Sequence, residues 1–83
     1  MYSLIYSKEA LKDLNKLNWV LKKRIISTLE RCQVRPYSHI KKLVGSPYFR
    51  LRNGDYRLIL DVQDGKLIIL VLELGHRKGI YKK

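Results

Sequence analysis

The residues best suited to chemistry are three arginines in the second half of the chain, Arg50, Arg52 and Arg57. They fall in a segment whose apolar residues recur every second position, so strands hold them. Tyr48–Arg52 reads as one strand, Asn53-Gly54 as a two-residue hairpin turn, and Asp55–Gln63 as the return strand. With that turn, Arg52 lies opposite Asp55, Leu51 opposite Tyr56, Arg50 opposite Arg57 and Phe49 opposite Leu58. Side chains alternate along a strand, so Phe49, Leu51, Tyr56 and Leu58 share one face and Tyr48, Arg50, Arg52 and Arg57 the other. Two arginines facing each other across a strand pair destabilise it by up to about 1 kcal/mol. Held on a rigid sheet, the same pair makes a clamp for phosphate oxygens, because each guanidinium binds them bidentately.

A third strand is expected over Lys66–Leu74, after a turn at Asp64-Gly65. It is nearly all apolar and so belongs at the centre of the sheet, and Gly75 ends it. The basic tail from His76 to Lys83 then emerges beside Arg50 and Arg57, bringing His76, Arg77 and Tyr81 into their neighbourhood. Lys78 and Lys82 in that tail, and Lys41 and Lys42 in a loop over residues 37–47, are further candidates for contacting a phosphate backbone. Arginines with available tyrosines suit RNA, whose unpaired bases stack on aromatic rings and guanidinium planes. The acids Asp55, Asp61, Asp64 and Glu73 are spread along the strands rather than clustered, so no metal site is expected, and no cofactor. His39 is expected to be exposed and without a role. Tyr2 and Tyr6 are expected to be structural. Trp19 is expected to be a packing anchor or a contact for a protein partner.

The elements that position these residues follow from periodicity. Residues 2–6 read as a short strand. Ser7 is the expected N-cap of a first helix carrying Ala10, Leu11, Leu14 and Leu17 at helical spacing. Asn18 caps a second, with Leu21, Ile25, Leu29 and Cys32 on one stripe, and Arg35-Pro36 ends it. The order strand, helix, helix, three-strand antiparallel meander is an α+β arrangement, with a helical hairpin on one face of the sheet. The first strand needs a partner, most simply at an edge of the meander.

Length and charge set the frame. The chain has 83 residues, 18 Lys+Arg against 7 Asp+Glu, and a formal net charge of +11. That length makes one domain, residues 1–83, whose fold buries only about 60–65% of the surface of the unfolded chain. Hydrophobic residues make up 46%, so this is a folded module and not a basic tail. Seven of the 18 basic residues lie in residues 1–34, mostly on outward helix faces, and the other 11 lie from Arg35 onward. Such a field draws polyanions, chiefly nucleic acid. The lone cysteine, Cys32, excludes a disulfide framework and a cysteine-based zinc site, and is expected to be a buried packing residue. No signal peptide or membrane span is read in the sequence, which fits an intracellular, cytoplasmic setting.

The stretch Lys42-Leu43-Val44-Gly45, the run Tyr48-Phe49-Arg50-Leu51-Arg52-Asn53-Gly54-Asp55-Tyr56-Arg57-Leu58-Ile59, and Gly75-His76-Arg77 with Tyr81 together resemble the RelE/ParE toxin superfamily. The resemblance covers nearly the whole chain. It implies a toxin of a type II toxin–antitoxin system. RelE-type members are ribosome-dependent endoribonucleases that cut messenger RNA in the ribosomal A site and so inhibit translation. They are held inactive by a helical, RelB-like antitoxin, here expected to be acidic where it covers the basic face. ParE-type relatives share the fold and poison DNA gyrase without nuclease residues. A plain RNA- or DNA-binding module is the remaining alternative.

Carried over by position, the resemblance makes Arg57, Arg77 and Tyr81 catalytic. Arg50 takes a basic strand position, with Arg52 as the alternative register for that role, and His76 stands where some members have a basic or histidine residue. Metal-free cleavage makes the 2′-oxygen attack the adjacent phosphorus, which needs a base, an acid and cations for the phosphorane. Arg50, Arg57 and Arg77 would be the cations and Tyr81 or His76 the proton carrier. Tyrosine ordinarily has a pKa near 10. The acid–base set is therefore weak, and much of the rate must come from electrostatics and from orientation by the ribosome.

Overall fold

The computed structural model describes residues 1–76. Along the chain it contains β1 (Ser3–Tyr6), α1 (Lys8–Asn15), α2 (Trp19–Cys32), a short 3-10 turn (Pro36–Ser38), β2 (Lys41–Lys42), β3 (Phe49–Asn53), β4 (Tyr56–Gln63), a second 3-10 turn (Asp64–Lys66) and β5 (Ile68–His76). The five strands form one sheet in the order β1-β5-β4-β3-β2. β1 runs parallel to β5, and the other neighbours are antiparallel.

Both helices start where the sequence predicts. Ser7 Oγ accepts from the Ala10 N–H at 3.0 Å, and Asn18 Oδ1 accepts from the Leu21 N–H at 2.9 Å. Each cap satisfies an N–H that the first helical turn would otherwise leave without a partner. Ala10 and Leu14 of α1, and Ile25, Leu29 and Cys32 of α2, are buried at helical spacing. They pack in one cluster with Leu51, Leu58, Leu60, Ile69, Val71 and Leu74 from one face of the sheet. The expected α+β architecture is thus the one observed, with the first strand on the meander's edge and Cys32 fully buried.

The sheet departs from the expected register in instructive ways. The hairpin turn is Gly54-Asp55, and Asn53 belongs to β3, opposite Tyr56. Gly54 has φ +59, the left-handed conformation the first turn position requires. Asn53 is held in the strand by tertiary contacts: its amide donates to Thr28 Oγ1 at 2.6 Å and, more weakly, to the Arg24 carbonyl at 3.5 Å. Every cross-strand partner therefore moves along by two residues. Arg57 faces Arg52 instead of Arg50, Arg50 faces Ile59, and Leu51 faces Leu58. The displacement is even, so the division into two faces is unchanged.

Three further differences concern the ends of elements. Residues 37–47, expected as loop, contain most of the first 3-10 turn and all of β2, whose Lys41 and Lys42 pair with Arg50 and Phe49. Gly75 does not end the last strand: it pairs with Arg57, and β5 continues through His76. β5 is interior but β4 is the middle strand. At the β4–β5 turn the left-handed residue is Leu67, φ 53, and not Gly65.

A bulge sits in β5. Ile59 faces Glu73 while Leu60 faces Val71, leaving Leu72 as the extra residue. It brings Val71 and Leu74, three apart, onto the same core face. Ser7 locks the bulge to the start of α1: its Oγ donates to the Leu72 carbonyl at 2.7 Å and its N–H to the Val71 carbonyl at 3.0 Å.

Candidate anion-binding site on the open sheet face

Opposite the helices, the register arranges basic side chains in two adjoining rows. One row runs Lys41, Arg50, Ile59 and Glu73 across β2, β3, β4 and β5; the next runs Arg52, Arg57 and Gly75 across β3, β4 and β5. Cross-strand neighbours have Cβ atoms about 4.5–5.5 Å apart, so four cationic side chains rise from a small patch. Lys41, Arg50, Arg52, Arg57 and His39 line one cavity of about 150 Å³. Larger hollows lie beside Trp19 and beside Tyr48, but neither gathers positive charge: the first is lined by Asn18, Trp19, Val20, Leu21 and Arg24, and the second by Ser7, Glu9, Tyr48, Ile59, Leu72 and Glu73.

Arg57 anchors the cluster. It is 7% exposed, the one charged residue buried among those described. The middle strand places it between Arg52 and Gly75, and the glycine contributes no side chain to the space beside it. Arg50 is half-buried and Arg52 exposed, with the Arg52 Nε 3.5 Å from the Gly54 carbonyl. A guanidinium tolerates burial because it is weakly hydrated, and its donors stay in a fixed fork. The arrangement can receive a small oxyanion from several sides, with Arg57 at the floor.

The structure brings together only part of the set singled out in the sequence. Arg50, Arg52, Arg57 and Lys41 converge. Lys42 does not: strand alternation puts it on the helix side, with Nζ 5.2 Å from the Phe49 ring centroid. His76 does not either. It faces Tyr56, and the two rings meet edge-on at 5.7 Å on the core side of the hairpin. The strand continues past the expected stop, and that extra length sets the histidine's face. Arg77, Lys78, Tyr81 and Lys82 lie outside the described residues. Trp19 is no packing anchor: it is 72% exposed at the start of α2. Missed in the sequence was His39, which is exposed, as expected, but lines the arginine cavity. The signal was available only through the two-residue strand β2, too short to show a period.

A second polar cluster lies at the opposite end of β4. Tyr2 and Tyr37 both donate to the Asp64 carboxylate, at 2.7 Å and at 2.8–2.9 Å. These bonds hold the Asp64 carboxyl below its usual range. Loss of water around the Tyr37 hydroxyl, together with its bond to Asp64, pushes that phenol up to about 12. The Tyr37 ring also meets Phe49 edge-on at 5.5 Å. Tyr2, expected to be structural, ties the chain's start to the β4–β5 turn. Burial raises the Cys32 thiol, so it is a poor nucleophile. Among the described residues, no three His, Cys, Asp or Glu are grouped to hold a metal ion, and no helix is long and apolar enough to cross a membrane.

Fold and site together define a small α+β module with a basic, arginine-lined cavity on its sheet. A family model described as the ParE toxin of type II toxin–antitoxin systems matches residues 4–81. The chain is 33% identical over 84 residues to the mRNA interferase toxin RelE of Escherichia coli K12, covering 93% of this chain and 84% of that protein. It is 36% identical over 84 residues to the toxin RelE3 of Methanocaldococcus jannaschii, covering 94% and 93%. Among solved structures, a chain of the intact E. coli RelBE toxin–antitoxin complex matches with a TM-score of 0.78 at 28% identity, over 92% of this chain and 96% of that one. The chain belongs to the RelE/ParE toxin superfamily and is a RelE-like toxin of a toxin–antitoxin system.

Proposed function

We propose that this toxin is a ribosome-dependent endoribonuclease that cuts messenger RNA in the A site, and that its arginine cradle binds the scissile phosphate. The carrying observation is the convergence of Lys41, Arg50, Arg52 and Arg57 on one cavity, with Arg57 buried at its floor. Attack by the 2′-oxygen builds charge on a crowded phosphorane, and fixed guanidinium donors stabilise that charge more than they stabilise the ground state. The name of the E. coli relative, an mRNA interferase, agrees with this chemistry. Arg57 is the principal phosphate ligand. Arg50 and Arg52 both reach the cavity, so the strand role is shared between them, and Lys41 adds charge at the rim. Arg77 and Tyr81 complete the set by resemblance. The partner that silences the toxin is an antitoxin, as in the RelBE complex, and against a +11 chain its contact surface is acidic.

The test is a primer-extension map of message cleavage on programmed ribosomes, with and without the purified protein. Cuts confined to the A-site codon, with naked RNA cut poorly, are the expected result. Equal cleavage of naked RNA would sink ribosome dependence. The family model's ParE description motivates a second reading, gyrase inhibition by binding. In that case growth arrest survives substitution of Arg57, Arg77 and Tyr81, and no message is cut.

A further inference from the structure

We propose that His39 is the general base of the arginine cradle, taking the proton from the attacking 2′-hydroxyl; this rests on the ribonuclease reading above. Four observations support it. First, His39 lines the same cavity as Lys41, Arg50, Arg52 and Arg57. Second, His39 closes the 3-10 turn Pro36–Ser38 two residues before Lys41, which pairs with Arg50 across the β2–β3 edge. The turn thus delivers His39 to the edge of the sheet at which the cavity opens. Third, its backbone is fixed on both sides. Pro36 and Ile40 are buried, the His39 N–H donates to the Pro36 carbonyl at 3.1 Å, and Tyr37 is tied to Asp64 and Phe49. A base must sit within hydrogen-bond reach of its proton, and such anchoring limits how far the ring can stray. Fourth, the other described histidine, His76, is turned to the opposite face against Tyr56.

The chemistry requires nothing beyond water. Neutral imidazole takes the 2′-hydroxyl proton as the 2′-oxygen forms its bond to phosphorus. The bond from phosphorus to the 5′-oxygen breaks, leaving a 2′,3′-cyclic phosphate. The 5′-oxygen leaves with a proton from water, and the hydroxide so formed returns the imidazolium to its neutral form. Histidine is suited to this exchange because its side chain changes charge near neutral pH. The charged groups that share the cavity are Lys41 of β2, Arg50 and Arg52 of β3 and Arg57 of β4, whose cationic side chains offer hydrogen-bond donors only.

The test is single-turnover cleavage on programmed ribosomes by the full chain and by His39→Gln and His39→Ala, followed from about pH 5 to pH 9. His39→Gln should lose about 10²- to 10⁴-fold in rate at saturating ribosome, with ribosome affinity unchanged. Its rate profile should lack the fall toward acid pH that protonation of a general base gives the unsubstituted protein. Added imidazole should restore part of the His39→Ala rate. A His39→Gln protein that cuts at the full rate with the full profile overturns the assignment while leaving the ribonuclease reading intact. A rate loss with an unchanged profile and no imidazole rescue also overturns it, by reducing His39 to a structural role. Failure of the unsubstituted protein to cut would sink both.

Discussion

The pair Arg52 and Arg57 should cost the fold stability that the site needs for function, and a double-mutant cycle can measure this. The two face each other directly across β3 and β4, and like charges in that position are destabilising by about 0.2–1 kcal/mol. Arg52→Thr, Arg57→Thr and the double variant keep a residue that favours strands at each place. The cycle isolates the pair term from whatever else each arginine touches. The expected coupling is repulsive, about 0.2–1 kcal/mol. For a domain of this size that corresponds to about 1–8 °C in Tm, at about 4–8 °C per kcal/mol. Circular dichroism melts read it. Raising salt from 0.1 M to 1 M, where the screening length falls from about 10 Å to about 3 Å, should shrink the coupling. In the cleavage assay each single substitution should lose about 10²- to 10³-fold, as for removal of one transition-state donor. A coupling of zero, or one favourable to folding, would refute the like-charge argument. Unchanged cleavage in both single variants would refute the cradle.

Other expectations follow from particular contacts. Ser7→Ala removes both the cap of α1 and the tie to the β5 bulge; urea unfolding should show a loss of about 1–2 kcal/mol. Asn53→Ala breaks the bond from the hairpin to Thr28 and should cost about 0.5–1.5 kcal/mol in the same assay. Asp64, with its lowered value, adds stability above its ordinary 3.8 that is lost as pH falls through the folded value. Asp64→Asn should therefore flatten the acid side of a plot of Tm against pH. Tyr37, raised to about 12, adds stability below its ordinary 10.0 that is lost as pH climbs through about 12. Tyr37→Phe should remove that alkaline limb and the latest phase of the ultraviolet phenolate titration.

The sequence by itself determined the order of elements apart from the short β2, both helix caps, the buried stripe ending in Cys32 and the division of the sheet into an apolar and an arginine face. These depend on local chemistry: a side-chain oxygen reaching a nearby N–H, a period of three to four, a period of two. It also brought Arg50, Arg52 and Arg57 to one face, because parity survives a shift of register by an even number. Which arginine faces which was decided by tertiary structure, since Asn53 gives up the turn to bond Thr28 on α2. The fate of the two histidines was decided there too. β5 runs on to His76 and turns it toward Tyr56, while a two-residue strand at Lys41–Lys42 carries His39 to the cavity. A strand that short has no period to read. It exists only because the edge of β3 offers unpaired backbone groups, and those belong to the assembled sheet and not to any stretch of sequence.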